Sequence, residues 1–158
     1  MNYSKINFST LDVFKKCEVR SFPIDCIHIL KSYGMAIKPY SKQKPKKKEL
    51  CLSYSKDAFT LKKTVYYNDE LMSGRVRFSL SHEIGHIVLG HEAPRTYEQE
   101  READCFASNL LAPRMAIHYS KCSNYIDVSR KFKITHGAAK YAFTDYCYWY
   151  KRAAHKMS

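Results

Sequence analysis

The sequence predicts an α+β fold in a single domain, with a small mixed sheet in the first half and mostly helices in the second. Two observations lead to this prediction: all of the β-like runs precede residue 70, and helical periodicity dominates after it. A chain of 158 residues suits one compact core, and no internal repeat or convincing linker divides it. We therefore expect residues 1–158 to form one domain.

The first half is predicted to contain one helix and three strands. Residues 23–33 have Pro23 at a first helical position, apolar residues at helical spacing, and Gly34 as a natural stop. Three short β-like runs indicate strands, at Met35–Tyr40, Leu50–Tyr54 and Thr64–Tyr67. The lysine-rich run Lys42–Lys48 separates the first two and is typical of a solvated loop.

The second half is predicted to be helical throughout. A helix is expected over residues 79–90, with Gly90 at its end. The segment Thr96–Gln99 has the capping-box pattern, which predicts a second helix that runs to about Leu111. Pro113 should end this helix and begin a short one.

Residues 113–158 are predicted to be a helical subregion that resembles a helix-turn-helix. Two helices are expected within 123–150, around a turn near residues 135–137. As a helix-turn-helix the pair would be Ile126–Phe132 and Ala138–Phe143, which would contact DNA. The other interpretation is that these helices only cover the core with aromatic side chains.

The composition indicates a basic protein without a membrane span. The 27 Lys and Arg residues outnumber the 15 Asp and Glu residues, and the net charge of +12 favours an acidic partner or weak nucleic-acid contact. No segment approaches the roughly 18 consecutive apolar residues of a membrane span, so no membrane partner is expected. A signal peptide is not recognisable, and six scattered cysteines form no C-x-x-C pair, so we expect a cytoplasmic protein with reduced cysteines.

The most informative motif is His82-Glu83-Ile84-Gly85-His86. Histidines at i and i+4 lie on one helix face, so both imidazoles can reach one ion. Glu83 follows the first histidine, where it can accept the proton of an attacking water. The spacing is that of metal-assisted hydrolysis and predicts one Zn²⁺. The structural alternative is a core helix with two hydrogen-bonded histidines.

A catalytic zinc needs a third protein ligand, and the following helix offers candidates. Glu100 and Asp104 share one helix face with apolar residues, so that face should pack against the motif helix and bring Glu100 to the metal. Asp104 would accept the free ring N–H of a ligand histidine. Glu102 is the ligand if the register is shifted, whereas His91 is expected to be a helix-end residue and no ligand.

Two longer segments resemble the ImmA/IrrE metallopeptidases. Residues 77–86 and 100–113 are similar to the family signatures R-F-(S/T)-L-A-H-E-(L/I)-G-H and E-x-E-A-(N/D)-x-F-A-x-x-L-L-x-P. The resemblance implies a zincin-like fold, and it implies the zinc ligands and the general base, namely His82, His86 and Glu100, with Glu83. It also implies a protein substrate, because these bacterial proteins cleave a helix-turn-helix repressor of a mobile element or stress regulon.

Zincins commonly bind their substrate as an added strand along a sheet edge. The predicted edge consists of Thr64, Val65, Tyr66 and Tyr67. The oxyanion stabiliser stays open among Tyr97, His118 and Tyr119. Two alternatives to an active peptidase also stay open: a non-proteolytic adaptor that binds DNA or protein with a metal-loaded zincin fold, and a latent enzyme that needs a partner.

Overall fold

A computed structural model describes the backbone of residues 1–157 and the side chains of residues 1–155. Within this range the chain forms eight α-helices, three strands and a short 3-10 turn at Tyr40–Lys42. The helices are α1 (Tyr3–Lys16), α2 (Cys26–Ser32), α3 (Pro45–Tyr54), α4 (Ser73–Leu89), α5 (Tyr97–Leu111), α6 (Arg114–Tyr119), α7 (Tyr125–Phe132) and α8 (His136–Met157). The strands are β1 (Ala36–Pro39), β2 (Ala58–Leu61) and β3 (Thr64–Tyr67). The predicted α+β class is confirmed.

The three strands form one mixed sheet in the order β1-β3-β2. β1 runs parallel to β3, with Ala36 opposite Thr64, and β2 runs antiparallel to it, with Ala58 opposite Tyr67. The prediction that Thr64–Tyr67 is a sheet edge is therefore wrong, because β3 is the central strand. Its residue types predict an extended chain, but the order of the strands depends on connections that this pattern does not contain. β2 has a strand neighbour on one side only and is an edge of the sheet.

The predicted strand Leu50–Tyr54 is part of helix α3 instead. Pro45 lies in the first turn of α3, where its missing N–H leaves no hydrogen bond unmade, and lysine is a good helix former. Cys51 is the buried residue of this helix. The lysine run Lys42–Lys48 is consequently not a loop over its whole length, because Lys46–Lys48 belong to α3.

One helix was not predicted, and two others begin at residues different from those predicted. Helix α1 was not predicted, although Asn2 caps it and its buried residues have helical spacing: Ile6, Thr10 and Val13. α2 begins after Asp25, whose side chain caps it, so Pro23 precedes the helix rather than beginning it. α4 begins at Ser73, well before the predicted start at residue 79.

The extensive contact between α4 and α5 organises the rest of the fold. Gly85 makes this contact close, because a Cβ atom there would lie only 3.2 Å from the Cα of Ala103. Gly90 ends α4 in the left-handed conformation (φ 72°), and Thr96 caps α5 with the predicted capping box. The surrounding core draws on seven helices and β3, with buried side chains that include Ile6, Leu30, Val65, Leu80, Ile84, Phe106, Leu110, Ile117, Phe132 and Ala139.

The predicted helix pair near the C-terminus is present. α7 and α8 are separated by the turn Lys133–Thr135, and they bury Val128, Phe132, Ala139 and Ala142. These helices therefore cover part of the core, as one of the two interpretations requires. Among the described residues, no helix is both long enough and apolar enough to cross a bilayer.

Candidate metal centre

The packing of α4 against α5 brings the three predicted metal ligands together. His82 and His86 lie one turn apart on α4, and Glu100 lies in the first turn of α5. One ligand atom from each lies within 4.8 Å of the other two. The two Nε2 atoms are 2.9 Å apart, and the Glu100 carboxylate oxygens lie 3.1 Å from Nε2 of His82 and 3.5 Å from Nε2 of His86. The three donor groups converge on one point.

This donor set fits a metal ion. Tetrahedral zinc at about 2.0–2.1 Å from each donor separates the donor atoms by roughly 3.3 Å, close to the observed distances. Two imidazoles and a carboxylate leave a fourth position open, as in catalytic zinc sites. His86 is almost fully buried, whereas Glu100 is 44% exposed, so the site has a protein side and a solvent side.

The ring nitrogens that face away from this point also have partners. Nδ1 of His82 lies 2.8 Å from Oδ1 of Asp104, the contact predicted for that carboxylate. Nδ1 of His86 lies 3.0 Å from Nδ1 of His91, and Nε2 of His91 lies 3.2 Å from Oε2 of Glu102. Glu102 therefore contacts His91 rather than the ligand cluster, and His91 follows the end of α4 and lies outside that cluster.

These surroundings shift the pKa values of the metal-free histidines in different directions. Burial opposes the charged form of His82, but the hydrogen bond and charge of Asp104 outweigh it and raise the pKa of His82. Burial, together with the charges of Arg95, His82 and His91, lowers the pKa of His86 to about 3. Burial also lowers the pKa of His91, against the opposing effect of Glu102. His86 is consequently neutral at physiological pH, as a metal ligand must be.

Glu83 is buried beside the metal ligands and has two partners outside the motif. Oγ1 of Thr60 in strand β2 donates a 2.6 Å hydrogen bond to Oε2 of Glu83. Nη2 of Arg95, in the connection between α4 and α5, donates to the same oxygen at 3.2 Å. Neither partner was predicted from the sequence, because β2 was not predicted and no motif includes Arg95.

A cleft of about 510 Å³ opens onto these residues. Its lining combines the edge strand β2 with polar groups of α4, of α5 and of the connection between them, including Ala58, Phe59, His82, Glu83, Arg95, Glu100 and Asp104. A neighbouring cavity of about 420 Å³ shares Phe78 and Asp104 with the cleft. Of the candidate metal ligands, His82 and Glu100 line the cleft, and none lines the neighbouring cavity.

The structure does not place the three oxyanion candidates at the cleft. Nδ1 of His118 lies 3.2 Å from the Tyr146 hydroxyl of α8, and the His118 ring stacks on Tyr150. Tyr119 lines a separate apolar groove next to Trp149. Tyr97 is largely exposed at the start of α5. None of the three is among the residues that line the cleft.

A search of curated proteins finds no match. Residues 31–144, more than two thirds of the chain, match the model of the Peptidase_M78 family, described as the IrrE N-terminal-like domain.

Proposed function

Because the chain belongs to the Peptidase_M78 family of ImmA/IrrE metallopeptidases, we propose that it is a zinc-dependent endopeptidase acting on a protein substrate. The observation that carries this proposal is the convergence of His82, His86 and Glu100 beside Glu83. Two imidazoles and one carboxylate can hold the metal, and an additional glutamate can act as the base; together they suffice for metal-assisted peptide hydrolysis.

Each side chain around the cleft has its own role in the proposed reaction. A zinc ion held by His82, His86 and Glu100 would polarise the scissile carbonyl and lower the pKa of water to about 7. Glu83 accepts a proton from the attacking water and returns it to the departing amine nitrogen, so that the C–N bond breaks and a carboxylic acid and an amine form. Thr60 and Arg95 hold the Glu83 carboxylate in place for both transfers.

Arg95 is our new candidate for the oxyanion stabiliser. Its guanidinium lines the cleft and is partly exposed, whereas the three tyrosine and histidine candidates do not line it. A guanidinium has five N–H donors, so it can contact Glu83 and a developing oxyanion together.

The substrate is proposed to bind as an added strand along β2. β2 is an edge of the sheet, Ala58 and Phe59 line the cleft, and Thr60 contacts Glu83. An extended peptide paired with this edge would cross the metal centre, and its main chain would supply most of the hydrogen bonds. β2 thus replaces β3 as the substrate strand.

The substrate we propose is a helix-turn-helix repressor of a mobile element or stress regulon. The support is the resemblance of residues 77–86 and 100–113 to peptidases with that role, together with the net charge of +12, which suits a protease that meets its substrate on DNA.

Glu83→Gln is the decisive test. The chain should be co-expressed with the repressor encoded beside its gene, and cleavage products identified by mass spectrometry. We expect a repressor fragment with the unchanged chain and at least a hundredfold less with Glu83→Gln, because a general base contributes about 10²–10⁴ to the rate. Glu92→Gln, the same change at an exposed position in the α4–α5 connection, is the control and should cleave normally.

Zinc content separates catalysis from folding in this experiment. Glu83→Gln should retain one zinc per chain, since Glu83 is not a ligand. Equal fragment yields from the Glu83→Gln and unchanged chains would contradict the proposal.

The second candidate function is a regulatory adaptor without proteolysis. It is favoured by α7 and α8, two helices joined by a short turn that expose basic residues: Arg130, Lys131, Lys133 and Lys140. A biological effect that persists unchanged in Glu83→Gln would support the adaptor.

A further inference from the structure

We propose that His91 and Glu102 are positioning residues, which form a hydrogen-bonded chain with His86 and fix the tautomer in which His86 can bind a metal. This inference rests on the metal site of the proposed function and adds a role for two residues that the ligand motif leaves out. The first hydrogen bond joins Nδ1 of His86 to Nδ1 of His91 at 3.0 Å, and the second joins Nε2 of His91 to Oε2 of Glu102 at 3.2 Å.

The carboxylate of Glu102, the last group of this hydrogen-bonded series, determines the direction of both hydrogen bonds. An ionised Glu102 carboxylate can only accept, so Nε2 of His91 carries a hydrogen. A neutral His91 then has its lone pair on Nδ1, where it accepts the Nδ1–H of His86. This leaves the lone pair of His86 on Nε2, the atom that faces His82 and Glu100. The opposite tautomer of His86 would point a hydrogen at the cation.

Because the His86 and His91 rings are buried, the hydrogen bonds between His86, His91 and Glu102 are the main means of fixing the His86 ring. The His86 side chain is 1% exposed and that of His91 is 6% exposed, so solvent competes little for their ring nitrogens. Glu102 is 22% exposed and connects the buried rings to the protein surface. His82 differs, because Asp104 reaches its Nδ1 directly and is 56% exposed.

The end of α4 places His91 over His86. Gly90 adopts the left-handed conformation, which turns the chain back after α4. The backbone N–H of His91 then donates to the carbonyl of His86 at 2.9 Å, so both the backbone and the ring of His91 are tied to this ligand. Glu102 reaches the His91 ring from α5, two residues after Glu100, and therefore from a different side of that helix.

The test measures zinc affinity and the His86 tautomer in the full-length chain. The variants are His91→Phe, which ends the hydrogen-bonded chain, His91→Gln, whose amide can accept from His86 and donate to Glu102, and Glu102→Ala. Glu92→Gln serves again as the control. Zinc affinity is measured by competition with a chromophoric chelator, and the tautomer by long-range ¹H–¹⁵N NMR of the histidine rings.

We expect His91→Phe to weaken zinc binding by about 10- to 100-fold, the usual effect of removing such a partner. Glu102→Ala should weaken it by about tenfold, and His91→Gln should recover most of the loss, which a merely structural role for the imidazole would not allow. Unchanged affinity in His91→Phe would overturn the proposal while leaving the metal site intact.

The NMR measurement separates this proposal from the proposed function. In the metal-free chain His86 should carry its hydrogen on Nδ1, and His91→Phe should mix the two tautomers. A hydrogen on Nε2 of His86 in the unchanged chain would overturn the proposal whether or not zinc binds. Failure of the unchanged chain to bind zinc, with the expected tautomer present, would count against the peptidase assignment alone.

Discussion

Thr60 illustrates how a single side chain supports the candidate general base. Its hydroxyl donates to Glu83, a carboxylate that is 4% exposed and that would otherwise depend on Arg95 alone. A hydrogen bond to a charged group contributes about 1.5–3 kcal/mol, so its loss should affect both the position and the burial of Glu83.

We therefore expect Thr60→Val to lower kcat/KM about tenfold and the free energy of unfolding by about 1–2 kcal/mol. Valine keeps the β-branched shape that a strand prefers, so the change removes only the donor. Thr64→Val makes the same exchange in the central strand β3 and should leave kcat/KM unchanged. Peptide hydrolysis and urea unfolding measure both effects, and equal losses in the two variants would contradict the assignment.

The histidine pKa values predict a pH optimum for the stability of the metal-free protein near pH 6.5. His86 and His91 have pKa values below the 6.5 of an unfolded chain, so below pH 6.5 the unfolded state binds more protons and stability falls on acidification. His82 has a raised pKa, so its contribution is present below pH 6.5 and is lost as pH rises through the folded-state value.

Urea unfolding with a chelator at pH 5.5, 6.5 and 7.5 measures this dependence. Each histidine contributes a slope of at most about 1.4 kcal/mol per pH unit. Asp104→Asn should reduce the decline above pH 6.5, because Asp104 is the main partner that raises the His82 pKa. A stability that keeps increasing from pH 6.5 down to 5.5 would show that His86 is not held neutral.

The residues that sequence reasoning could find are those whose partners share a helix. His82 and His86 are one turn apart, as are Glu100 and Asp104, so their common faces follow from spacing alone. The partners of Glu83 and His86 come from β2 and from the α4–α5 connection. Their approach depends on the path of the chain in space, which local periodicity does not describe.

At the scale of elements, Gly85 determines how closely α4 and α5 approach. A Cβ atom there would lie 3.2 Å from the Cα and carbonyl oxygen of Ala103, both backbone atoms that cannot move independently of α5. Alanine gains about 1 kcal/mol in helix propensity, but overpacking costs about 1–3 kcal/mol.

Gly85→Ala should consequently destabilise the fold by about 1 kcal/mol and weaken zinc binding, because α5 carries Glu100. Thermal unfolding and chelator competition measure the two effects. Gly137→Ala is the matched control, since its Cβ would meet no atom within 4 Å near the start of α8, and it should be neutral or stabilising. Undiminished zinc affinity in Gly85→Ala would show that the helix spacing does not control the site.

The elements that sequence analysis misjudged have a common cause. Leu50–Tyr54 is a short, mostly apolar run that resembles a strand, yet the preceding proline and lysines favour helix α3. The strand β2 depends on its antiparallel pairing with β3, which its own four residues do not reveal. Long helices with caps, such as α5, were predicted well because capping and periodicity agree.

At the scale of the whole molecule, the charge of +12 predicts weak and salt-sensitive binding to duplex DNA. The exposed basic residues Lys131 and Lys133, at the end of α7 and in the following turn, are the first to test. Charge reversal at both positions should weaken a gel shift and reduce its salt dependence, while hydrolysis of a short peptide stays normal. A shift that is indifferent to salt or to these changes would exclude this surface as the DNA contact.

The connection between α4 and α5 has a consequence for how the protein tolerates evolutionary change in length. Surface loops usually accept insertions, yet this short connection places the ring of His91 against His86 and the guanidinium of Arg95 against Glu83. A single inserted residue would displace either contact by about one Cα step of 3.8 Å. Insertions and fusion points therefore belong elsewhere on the molecule, and natural length variation should avoid this stretch.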